Sequence, residues 1–173
     1  MTSLRLALAA AVLPLLSACT AVIPIDLTRE VTLESPGGAF STAQRIDLSQ
    51  EPAVWSRRAS VDAVSVDQIT ATVRSVGQGH RAAAVSLALA FRPDGAPADG
   101  SRDLRVGTLA DLAFTAGSSV TLQGTAALDA FLLEVLHGSG AFTAIASGAL
   151  AGQANAVIEI GLKGSAACKV AGP

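Results

Sequence analysis

The sequence predicts a mainly β domain, an antiparallel two-layer β-sandwich with one clear amphipathic helix at about 125–137 and a shorter one at about 52–59. Three observations predict it. Apolar and polar residues alternate over several stretches rich in Val, Ile and Thr, one stretch follows the helical period instead, and turns containing Gly, Pro and Asp separate them. The same pattern also fits an α+β arrangement in which the helix packs on a single antiparallel sheet.

Composition narrows the chemistry. A hydrophobic fraction of 50% against 15% charged excludes disorder for the bulk of the chain. Aromatics are only 3%, with one Trp and no Tyr, so the core must be built from Val, Leu, Ile and Ala. Twelve basic residues face 14 acidic ones, and Arg57-Arg58 is the one adjacent basic pair, which reads as a solvated turn. Nucleic-acid binding needs a clustered basic patch, and none is present.

Taking the elements in order, Leu27–Leu33 alternates weakly and allows one short strand before the turn Ser35-Pro36-Gly37-Gly38. Ala39–Leu48 reads as extended, anchored by Phe40, Ile46 and Leu48. Ser49 and Pro52 stand where the short helix starts, with Val54 and Trp55 as its apolar contacts. Trp55 reads as a core-closing residue, since one indole contributes much of the area that an aromatic-poor core lacks. Val61–Val76 carries the first strong strand pattern, with Ile69, Ala71 and Val73 on one face and Thr70, Thr72 and Arg74 on the other. Gly77–His80 is a turn, with His80 as a solvated loop residue. Ala83–Phe91 then places Val85, Leu87, Leu89 and Phe91 on one side, as the hairpin partner of the preceding strand.

The loop Arg92–Asp103 holds three Asp with Gly, but not in the Asp-x-Asp-x-Asp-Gly order of a calcium loop, and reads as a solvated connection. Leu104–Val106 and Ala113–Leu122 are further strands, with a turn of helix around Leu109 and Asp111. In Thr125–His137, Leu128, Phe131, Leu132, Val135 and Leu136 form one apolar stripe, which Gly138 ends. Ala141–Leu150 and Ala154–Gly164 read as a last hairpin, and Cys168 and Val170 as a final short strand with Cys168 a small apolar residue.

The N-terminus is of a different kind. Arg5 precedes an apolar run from Leu6 to Leu16 broken by Pro14, and Leu16-Ser17-Ala18-Cys19 closes it with two small residues and a cysteine. This is the pattern of a secretory signal. The stretch from Leu6 to Ile25 is free of charge, so an uncleaved helix is the competing reading; Pro14, Ser17, Thr20 and Pro24 weaken it. Leu16-Ser17-Ala18-Cys19 resembles the lipobox of bacterial lipoproteins. The resemblance implies that residues 1–18 are removed and that Cys19 becomes the first residue, carries acyl groups such as palmitate, and anchors the chain in a membrane. Thr20 stands where lipoproteins kept in the inner membrane often have Asp, which implies the outer membrane, facing the periplasm or the cell surface. On this reading residues 19–38 are a tether and 39–173 a single β-rich domain.

No catalytic constellation accompanies the anchor. Ser139 lies between glycines beside His137 but lacks the Gly-x-Ser-x-Gly spacing. The only histidines, His80 and His137, have no ligand spacing to another His or Cys, so neither a metal nor any other cofactor is expected. Asp62 and Asp67 are placed on opposite strand faces by their separation. The sequence therefore predicts an exported, membrane-anchored, non-catalytic interaction domain with a protein partner in the cell envelope, serving in envelope assembly. The alternative is a carrier whose apolar ligand lies in a groove beneath the helix, lined by Leu128, Phe131, Leu132, Val135 and Leu136.

Overall fold

A computed structural model describes residues 20–169; the signal segment, Cys19 and Val170 lie outside the described residues. The chain forms β1 (Thr20–Ser35), β2 (Gly38–Asp47), α1 (Pro52–Trp55), β3 (Val61–Val76), β4 (Ala84–Pro93), β5 (Leu104–Ala113), β6 (Ser119–Gln123), α2 (Ala126–His137), β7 (Ala141–Leu150) and β8 (Ala154–Lys169). Two four-stranded antiparallel sheets result, in the orders β1-β8-β3-β6 and β2-β7-β4-β5. The two-layer β-sandwich is thus confirmed. Apart from β4 and β5, which pair within the second sheet, consecutive strands lie in different layers, as in a jelly roll.

The strand faces follow the sequence pattern. Ile69, Ala71 and Val73 are each 0% exposed, and Val85, Leu87, Leu89 and Phe91 are all buried. The pairing partners do not follow it. β3 and β4, expected as a hairpin, lie in different sheets, and so do β7 and β8. Alternation fixes which face of a strand is apolar, and two apolar faces can meet by packing across layers as well as by lying side by side in one sheet.

Four boundaries also differ. Residues 19–38 were expected to be a tether, yet β1 pairs with β8 residue by residue from Thr20↔Lys169 to Ser35↔Ala154. Its inward side chains Ile23, Ile25, Leu27 and Leu33 are buried. Pro24 is tolerated because β1 is an edge strand, where a missing backbone N–H costs no ladder hydrogen bond. The turn of helix expected around Leu109 and Asp111 is instead the end of β5, where Leu109 and Leu112 are buried and Asp111 turns to a positive φ of 54°. Cys168 belongs to the long β8, not to a separate strand, and is buried. The helix expected at 52–59 is regular only over Pro52–Trp55 before a 3-10 turn at Arg58–Ser60.

The two sheets are unequal. β1, β3 and β8 each run 16 residues, whereas β2, β4, β5 and β7 each run 10. Six residues of overhang at about 3.3 Å each leave roughly 20 Å of apolar sheet uncovered. The twelve residues of α2, about 18 Å long at 1.5 Å per residue, match that gap. Two polar contacts set α2 along the overhang. The Asp129 carboxylate accepts from the Val66 N–H at 2.7 Å, and His137 Nε2 donates to the Val61 carbonyl at 2.9 Å. Val61 and Val66 lie outside the Gln68–Thr72 stretch that pairs with β6, so the β6 side of β3 has no strand beside them.

Two outcomes are expected. A chain beginning at Ala39 loses β1 and exposes the apolar face of β8; each lost core side chain costs about 2–5 kcal/mol against a total stability of about 5–15, so circular dichroism and gel filtration should find it unfolded or aggregated. Asp129→Ala leaves the half-buried Val66 N–H unpaired and should lower stability by about 1–3 kcal/mol in urea titration, while Ala127→Ser on the exposed side of α2 should leave it nearly unchanged.

Candidate functional site

The five residues expected to line a groove beneath the helix do not share a groove. Leu128 is fully enclosed in the core. Leu132 and Leu136 face Ile25, Leu27, Leu48 and Val54 around a void of only about 10 Å³, too small to matter to a ligand. The space below α2 is filled because its apolar stripe is spent on covering the overhang. Phe131 and Val135 instead border a half-open cleft of about 340 Å³ on the flank of α2, walled by Pro93, Pro97 and Ser139 and rimmed by Asp94, Arg102 and Glu134. Phe131 also joins Phe91 and Phe142 in an aromatic cluster, with ring centroids 4.8 to 6.0 Å apart, that ties the helix to the second sheet.

A second opening lies between the edge strands β1 and β2, where the two sheets part. An apolar cavity of about 70 Å³ reaches in from this side to Ile69, Leu89, Phe91, Phe142 and Leu162. Arg29, Val31, Thr42 and Gln44 stand at its mouth. Arg29 occupies an inward position of β1, its guanidinium 3.6 Å from Glu51. An inward charge on an edge strand discourages unwanted strand pairing. The cavity is less than half of the ~150 Å³ that accepts a benzene molecule in an apolar core, so its size suits one side chain, not an acyl chain.

Several titratable side chains have structural roles. His80, expected in solvent, accepts from the Asn155 N–H through Nδ1 at 3.0 Å, donates through Nε2 to the Ala82 carbonyl at 2.6 Å, and packs edge-on against Phe114. It pins the β3–β4 connection to the start of β8; only the long-range partners, invisible in sequence, reveal this. Arg58 stacks on Trp55 at 4.1 Å. A Cβ on Gly140 would come within 2.4 Å of the Trp55 ring, so that glycine is required by packing. Asp62 and Asp67 are both exposed, not opposed, because the register shifts between Val61 and Ala63 and between Val66 and Gln68 break the simple alternation. Asp62 lies 3.4 Å from Lys169.

Each Asp of the 92–103 loop has its own partner. Asp94 pairs with Arg45, Asp99 caps the turn at Ser101, and Asp103 receives two hydrogen bonds from Arg92 at 2.7 and 2.8 Å. The Arg92 guanidinium holds the Asp103 carboxyl below the usual Asp range, chiefly through those hydrogen bonds. The Ser101 hydroxyl and N–H do the same for Asp99. No group of three or more His, Cys, Asp or Glu placed to hold a metal occurs among the described residues.

No family model and no curated protein matches the chain. Among solved structures, it is similar to the decameric BFDV capsid protein, at 12% identity over 84% of this chain and 99% of that one, with a TM-score of 0.41. It is also similar to turnip yellow mosaic virus (11% identity, 100% of this chain and 93% of that one, TM-score 0.36) and to Desmodium yellow mottle tymovirus (11%, 100% and 98%, TM-score 0.34). Likenesses this distant carry no argument about function.

The Arg92–Asp103 pair generates a pH prediction. A carboxylate whose folded pKa is depressed stabilises the fold above its unfolded pKa, and that contribution disappears as pH falls through the folded value. The stability difference between the native chain and Asp103→Asn should therefore be largest near neutral pH and shrink below about pH 4, as read from urea midpoints across the range.

Proposed function

We propose that the chain is an exported lipoprotein, acylated on Cys19, that holds a non-catalytic jelly-roll interaction domain at a bacterial membrane and meets a protein partner in the cell envelope. The observation that carries this reading is the Leu16-Ser17-Ala18-Cys19 pattern behind the apolar run Leu6–Leu16. Cleavage before Cys19 would remove nothing from the described sheets, in which β1 already holds Thr20. The same strand counts against an uncleaved membrane helix. Thr20–Ile25 lies in β1, and the remaining charge-free residues from Leu6 to Cys19 would make a helix of only about 21 Å, short of the ~30 Å hydrocarbon core.

The interaction role is supported by where the polar groups go and where the core comes to the surface. His80, Arg92, Asp94, Asp99, Asp103 and His137 serve ion pairs, turn caps and backbone contacts. The cavity mouth between β1 and β2 offers an apolar floor and a polar rim, the form in which interfaces take up one anchoring side chain.

Metabolic labelling with an alkynyl palmitate tests the anchor. The native chain should take up label and fractionate with membranes, and Cys19→Ser should lose the label; an unlabelled native chain, or an undiminished label in the variant, refutes the proposal. A photocrosslinker at Gln44 should yield a discrete adduct in intact envelopes that one at Thr121, on the far face of the other sheet, does not. Native mass spectrometry that finds an apolar molecule retained by the purified domain would turn the same cavity into a carrier's site.

A further inference from the structure

If Cys19 carries the acyl anchor, the position of β1 fixes how the domain meets the lipid. Lipoprotein domains can stand off a bilayer on a flexible linker, and this chain has no room for one. The residue after Cys19 is already paired in a sheet, Thr20 with Lys169, and the next row aligns Ala21, Cys168 and Val61. One peptide unit, about 3.8 Å between Cα atoms, separates the acylated residue from β1.

The surface at that end has the composition for contact with lipid. Val22 is 67% exposed, and the only other exposed large hydrophobic residue among those described is Val76, at 37%. Val22 lies about 10 Å along the chain from Cys19, one peptide unit plus two strand residues, which brings it to the outer edge of a headgroup layer about 5–8 Å deep. Val76 pairs with Ala156 at the other end of β3, about 50 Å from Val61. Lys169, whose side chain is 75% exposed, and the exposed Arg57 and Arg58, on the turn leading into Val61, place cations at the proximal end. Asp62 is the acidic residue beside them, and it is paired with Lys169. Cations at this depth favour lipid phosphates.

We propose that the Thr20–Lys169 end of the first sheet is a bilayer-seating surface: Val22 meets the outer headgroup layer and Lys169, Arg57 and Arg58 face phospholipid phosphates. The proposal rests on acylation of Cys19. It predicts a fixed end-on posture, with the β1–β2 corner and Val76 pointing away from the membrane.

The test uses the full acylated chain in vesicles of phosphatidylglycerol and brominated phosphatidylcholine. A thiol-reactive fluorophore is attached at V22C or V76C in a Cys168→Ala background, and acylation is verified by mass. Bromolipid should quench the V22C label strongly and leave the V76C label at its level in unbrominated vesicles. Equal quenching at both sites, or none at V22C, with acylation intact, overturns the seating surface and leaves the lipoprotein reading standing. Absence of the acyl mass overturns the lipoprotein reading itself.

Discussion

The architecture depends on a mismatch in length. Three strands of the first sheet are 16 residues long, and the four strands of the second are 10, so one sheet cannot cover the other. Uncovered apolar sheet costs roughly 25 cal/mol per Å², and the overhang must be closed by something of similar length. α2 is that element. Its stripe of Leu128, Leu132 and Leu136 packs on the overhang, while Phe131 and Val135 turn toward the second sheet and its loops. The helix thereby turns an incomplete sandwich into a closed core, and in doing so it uses up the surface that a ligand groove would have needed.

Seating α2 depends on the shortness of β6. Outside Gln68–Thr72 the β6 side of β3 has no strand beside it, and Asp129 and His137 take up the Val66 N–H and the Val61 carbonyl there. A polar group left unpaired at such a place costs about as much as a lost hydrogen bond. His80 does the same work at the opposite end, holding the β3–β4 connection against β8. Residues with the chemistry of a catalytic site thus act here as clamps on the backbone.

The unequal sheets also decide what the two ends of the molecule offer. One end carries the helix, the exposed Val22 and the basic residues around Lys169, next to Cys19. Along the side, the layers part between β1 and β2, and a small apolar cavity with Arg29, Thr42 and Gln44 at its mouth stays open. Membrane contact at one end and a partner-sized opening along the side are compatible in a single posture, because the edge strands run away from the anchor.

Much of this was legible in the sequence. The alternation in Val61–Val76 and Val85–Phe91, the stripe of Leu128–Leu136, the helix start at Thr125 and the stop at Gly138 each follow from a local period or a local turn signal, and the structure shows them as read. The lipobox-like Leu16–Cys19 is likewise a local pattern. Pairing was not legible: alternation gives a strand its buried face without naming its neighbour, so β3 and β4 read as a hairpin although the chain carries them into different layers. Nor was the start of the fold, because Pro24 reads as a break until β1 is seen to be an edge strand. The groove beneath α2 failed for the same reason. An apolar helical face demands burial, and only the relative lengths of the two sheets, a property of the assembled layers, determined that a sheet and not a ligand would supply it.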